Sequence, residues 1–102
     1  MKYYKLVRDK IPEIIINSGK DCTTEILSDD EYLKMLDEKL SEELAEYRHS
    51  NSMEELADLL EVMAAVVKAR GWTWEELESL RAAKKAERGG FDQKILLVET
   101  IG

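Results

Sequence analysis

Residues 41–58 read Ser-Glu-Glu-Leu-Ala-Glu-Tyr-Arg-His-Ser-Asn-Ser-Met-Glu-Glu-Leu-Ala-Asp, and the spacing of leucines and carboxylates around this stretch decides the fold. At roughly 100° per helical residue, Leu33, Leu36, Leu40, Leu44 and Tyr47 form one apolar stripe running into it. Leu56, Leu59, Leu60, Met63, Val66 and Val67 form a second stripe beginning within it. The turn around 49–52 is short, so the two helices are expected to run antiparallel. With Leu40 and Met63 as stripe centres, Glu43 and Glu46 lie about 60° and 120° to one flank, and Glu55 and Asp58 about 80° and 140° in the same sense. Reversing one helix reverses its sense, so both flanks fall on the same side of the hairpin. Glu46 is then level with Glu55, and Glu43 with Asp58.

Such a square of carboxylates is unfavourable alone. Two of them about 6 Å apart repel by roughly 3 kcal/mol at an effective dielectric near 20. Either the side chains swing into water or a cation sits among them. All-oxygen donors suit Mg²⁺, with Mn²⁺ as the alternative, and no cluster of His or Cys points to zinc. Two ordinary readings compete. Acidic residues on an exposed helix face are commonly just solvated, and Glu55 lies three residues after Ser52, where it is placed to cap its own helix. Asp58 has no capping role to explain it.

Outward from the hairpin, the first long helix is expected over 29–48, opened by Ser28 with Glu31 as a capping box. The second is expected over 53–70, stopping at Gly71. A third begins from Thr73 with Glu76 and ends near Arg88, before Gly89 and Gly90. A shorter helix follows Asp9 as cap, with Pro12 in its first turn and Gly19 beyond its end. Residues 2–7 read as an arm or short strand, and 23–27 and 95–98 as short β-prone runs. The expected architecture is all-α: a helical bundle on an antiparallel hairpin, with short β segments near the termini. The segment 59–67 carries one charge, Glu61, and is apolar over most of its circumference, so a homodimer or higher homo-oligomer is expected.

Composition agrees. The 102 residues suit one domain, 1–102, with 44% hydrophobic and 36% charged residues. A net charge of −7 argues against binding nucleic acid through its phosphates. The opening residues reach charge too soon for a signal peptide, and no apolar run has membrane-spanning length. Cys22 is the only cysteine, which precludes an intrachain disulfide and suits a cytoplasmic setting.

Glu42-Glu43-Leu44-Ala45-Glu46, followed by Glu55-Leu56-Ala57-Asp58, resembles the Glu-Glu-x-x-Glu … Glu-x-x-Asp signature of MazG-like nucleotide pyrophosphohydrolases, in the all-α NTP pyrophosphatase superfamily. Residues 4–12 and 87–91 resemble its phosphoribosyl-ATP pyrophosphohydrolase-like branch. The resemblance implies Mg²⁺-dependent hydrolysis of a nucleoside triphosphate, or related nucleotide, to the monophosphate and pyrophosphate. It implies Glu43, Glu46, Glu55 and Asp58 as metal ligands, the same four that helix geometry selects. Glu42, facing away from the apolar seam, is assigned to orienting water. An anionic substrate needs cations, for which Lys84, Lys85 and Arg88 stand first, followed by Arg8 and Lys10. Basic residues in a helix's last turn also simply complement its dipole. Trp72 and Trp74 are placed to stack on a base or, more ordinarily, to pack at a helix start. His49 is expected to be an exposed turn residue. The alternatives are a phosphoribosyl-ATP pyrophosphatase of histidine biosynthesis and a non-catalytic helical dimerisation module.

Overall fold

Each of the three long helices starts on a hydroxyl side chain. In the computed structural model, which describes residues 4–102, α1 spans Ile11–Asn17, α2 Asp29–Ser50, α3 Met53–Ala69 and α4 Trp74–Arg88. Ser28 accepts the backbone N–H of Glu31, Ser52 that of Glu55 and Thr73 that of Glu76, satisfying donors that a helix start leaves unpaired. Ser28 and Thr73 also donate their hydroxyls to the carboxylates of Glu31 and Glu76, at 3.0 and 3.2 Å. Helix α2 runs two residues past the expected end and takes in His49, which is helical and exposed. It stops at Asn51, whose φ of 54° and ψ of 33° place it in the left-handed region that asparagine tolerates.

Two expectations are corrected at the ends of the chain. The cap position of α1 is Lys10, not Asp9, and no side chain caps that helix. Pro12 compensates by fixing the first turn, where its missing N–H costs nothing. No strand occurs among the described residues, so 23–27 and 95–98 are irregular. A short β-prone run needs a partner for its backbone groups, and neither run finds one. Of the arm at 2–7, residues 2 and 3 lie outside the described residues, and 4–7 have no regular structure.

Helices α2 and α3 pack against each other, and α4 leans on α3, whereas α1 touches none of the three. Arg70, just past α3, reaches Asp37 in α2 at 3.3 Å, and the first turns of α3 lie beside Glu43. The partly buried residues of α3 are Glu55, Asp58, Leu59, Val62, Ala64, Ala65, Val66 and Ala69; all but Ala64 lie on one side of the helix, so the line facing α2 is centred near Val62 and Val66. Met63, taken above as the stripe centre, is exposed together with Leu56 and Leu60. Leu36 at 2% exposure and Val67 at 7% are the buried apolar residues among those described. No helix among them is long and apolar enough to cross a membrane.

Candidate metal centre

Three carboxylates converge where the start of α3 meets α2. One oxygen each from Glu43, Glu55 and Asp58 lie within 4.8 Å of one another. Glu43 projects from α2 and is 9% exposed, the one charged residue buried among those described. Glu55 and Asp58 stand one turn apart on α3 and are partly exposed.

Glu55 reaches this cluster because it leaves its capping box half-made. At the other two capping boxes the acidic side chain folds back onto the capping hydroxyl. At α3, Ser52 still accepts the Glu55 N–H at 3.4 Å, but its hydroxyl pairs with Ser50 at 3.1 Å. The Glu55 carboxylate lies instead near Glu43 and Asp58, while its N–H still serves the cap. Its proton affinity records the crowding. Partial burial raises its pKa, followed by the charges of Glu46, Asp58, Glu43 and Glu54.

Glu46 is exposed and stays outside the group of three, although its charge acts on Glu55. Of the expected square the structure thus brings together three corners, with the fourth beside them. Glu42 is ion-paired, to Lys39 at 3.2 Å and Lys5 at 3.8 Å. Arg8 arrives from the N-terminal segment and donates to Asp58 at 2.6 Å. Lys39 also lies 3.5 Å from Glu43. Arg8 and Lys39 thus each pair with one carboxylate of the trio.

A cleft of about 400 Å³ opens beside the cluster, with Leu6 to Lys10 as one wall and Tyr32, Lys39, Glu43, Asp58 and Glu61 on the other. Arg8 and Lys10, both named from the sequence, line it. Lys84, Lys85 and Arg88 do not; they stand exposed on the far turns of α4 and line neither this cleft nor its neighbour over Glu61 and Lys68. Trp72 and Trp74 are likewise part-exposed and away from both clefts. Sequence reading missed Lys39 and Lys5. Lys39 had a visible signal, since residues three and four apart share a helix face and Glu42 and Glu43 follow at those spacings. Lys5 had none, because its partner lies on another element.

The donor set suits a hard divalent cation in its chemistry, oxygen ligands only, close together and mutually repelling, with Arg8 and Lys39 already paired to two of the three.

No family model matches the chain, and no solved structure matches it. An uncharacterized protein of Mycolicibacterium smegmatis (strain ATCC 700084 / mc(2)155) is 52% identical over 48 residues, which make up 47% of this chain and 49% of the relative. The matched residues thus span about half the length of that curated relative, whose name describes no activity.

Proposed function

We propose that this protein hydrolyses a nucleoside triphosphate, or a related nucleotide, to the monophosphate and pyrophosphate, using Mg²⁺ or Mn²⁺ held by Glu43, Glu55 and Asp58. The observation that carries the reading is the carboxylate of Glu55 lying in a trio with Glu43 and Asp58, beside a cleft that also holds cationic side chains. In this reading α2 and α3 form an antiparallel hairpin within a single domain, and the trio sits at the edge of its seam. Glu46 adds negative charge next to Glu55 and supports the ion from outside the trio. A bound divalent ion supplies neutralisation of phosphate oxygens and a lowered pKa for a coordinated water. Arg8 and Lys10 bind phosphate oxygens from the cleft wall, as charges that counter the protein's acidity. Glu42 orients water, and Lys39 holds Glu42 and Glu43 in place through its two ion pairs.

The test is a nucleotide panel assayed separately for pyrophosphate and for single phosphate, with Mg²⁺, with Mn²⁺ and with chelator. Pyrophosphate release that needs the ion is expected. Asp58→Asn and Glu55→Gln should each lower it by at least the roughly 100-fold that an outer ligand contact can be worth, with the helical circular dichroism retained. Wild-type protein releasing no pyrophosphate from any nucleotide with either ion overturns the reading.

One observation favours a second reading, a non-catalytic helical module. Arg8 and Lys39 already partner two of the three carboxylates, so the protein neutralises part of the cluster by itself. Titration with Mn²⁺ separates the two: saturable binding lost in Asp58→Asn belongs to the enzyme, and its absence to the module.

A further inference from the structure

The cleft beside the carboxylate trio continues into a second one of about 480 Å³, and the two share Asp9, Tyr32, Glu61 and Ala65. Ala64, Lys68 and Ala69 carry the second cleft along α3, away from Asp58. Tyr32 and the three alanines are partly buried, whereas Asp9, Glu61 and Lys68 are exposed. One aromatic ring thus shares the far cleft with a lining of small side chains, in a volume within the range of about 300–1,000 Å³ usual for small-molecule sites.

The two clefts differ in how their charges are engaged. Beside the trio, Arg8 pairs with Asp58 and Lys39 with Glu43. In the far cleft, Asp9, Glu61 and Lys68 enter no ion pair among the described residues. Asp9 is also without the capping role that its place before α1 suggested. Length fits a nucleotide. From Asp58 the lining passes Glu61 after one turn and reaches Ala65 after roughly 10 Å along the helix axis. About six bonds join the α-phosphorus of a nucleotide to its base nitrogen, a reach of roughly 6–7 Å. A phosphate held at the trio therefore puts its base over the lining from Glu61 to Ala65.

We propose, resting on the nucleotide hydrolysis read above, that the far cleft is the nucleobase subsite and that it selects guanine. Tyr32 stacks on the base, and Ala64, Ala65 and Ala69 let a flat ring lie close to α3. The edge of the base then chooses its identity. The carboxylates of Asp9 and Glu61 only accept hydrogen bonds, so the edge they face must donate. Guanine offers adjacent donors there, N1–H and the N2 amino group, and keeps O6 and N7 for the Lys68 ammonium. Adenine and cytosine set a ring-nitrogen acceptor beside their amino group. Uracil and thymine flank N3–H with two carbonyls. Each of these four brings a lone pair against a carboxylate.

Two measurements test this: kcat/KM for pyrophosphate release from GTP, ATP, CTP and UTP with Mg²⁺, and calorimetric binding of the four matching monophosphates. GTP should lead each of the others by roughly 10–100-fold, the discrimination that a hydrogen bond to a charged group supplies. GMP should likewise bind more tightly than AMP, CMP or UMP. Glu61→Gln should remove most of this preference. Tyr32→Ala should weaken all four alike, because stacking reads no edge; if it fails to fold, the exposed Glu61 position still decides. Glu87→Gln, exposed on α4 and outside both clefts, should leave the preference as it is. Four nucleotides hydrolysed at similar rates, a lead for another base, or a guanine preference that survives Glu61→Gln overturns the proposal while the hydrolase reading stands. If no nucleotide releases pyrophosphate, the hydrolase reading falls, and the monophosphate affinities alone decide whether the cleft selects guanine.

Discussion

Glu55 is the residue on which the candidate centre turns. Its backbone N–H serves the cap of α3 while its carboxylate faces Glu43 and Asp58, so one residue both starts the helix and furnishes the site. The raised pKa has a consequence with a definite sign. A carboxyl group that holds its proton more tightly folded than unfolded contributes stability at low pH and loses it as pH rises through the folded pKa. Ionised Glu55 therefore weakens the cation-free protein at neutral pH. Glu55→Gln should raise the melting temperature in chelator at about pH 7, and the gain should vanish near pH 4, below the folded pKa. Saturating Mg²⁺ or Mn²⁺ should remove the gain at neutral pH as well. Arg8 offers a complementary test. Its pair with Asp58 is roughly half exposed, so it contributes at most ~1 kcal/mol. Because it holds a carboxylate that a metal ion requires, Arg8→Gln should tighten Mn²⁺ binding by up to about fivefold, read by the free-Mn²⁺ resonance signal. Weaker binding would mean that Arg8 supports the ion instead of competing with it.

At the scale of elements, the three hydroxyl caps are the most local feature and the one most fully legible in the sequence. Each is settled within four residues, by a side-chain oxygen and the N–H groups a helix start leaves free. Ser28→Ala and Thr73→Ala should each cost about 1 kcal/mol in denaturant melts. Ser52→Ala should cost a similar amount. The seam between α2 and α3 was only half legible. Apolar residues cover so much of α3 that periodicity alone did not say which line meets α2, and the centre falls nearer Val62 and Val66 than Met63. Leu36, the most buried apolar residue, should be the costliest single truncation: Leu36→Ala is expected to lose about 2–5 kcal/mol by the same melts.

Across the whole molecule, the sequence by itself determined the all-helical class, the three long helices with their caps and the flank on which the acidic residues gather. These follow from backbone hydrogen bonds and side-chain spacing inside single helices. Only the tertiary structure decided which carboxylates meet. It turned Glu55 inward, left Glu46 outside the trio and brought Arg8 across 50 residues of chain onto Asp58. It also showed that two buried apolar side chains are all the core the described residues possess alone, and that Lys84, Lys85 and Arg88 lie apart from the clefts. The physical reason is the range of the forces. Caps and helical periodicity act over one or two turns and are written in neighbouring residues. The meeting of two helix faces depends instead on which of several nearly equivalent apolar lines buries more surface, a comparison made only when the elements pack.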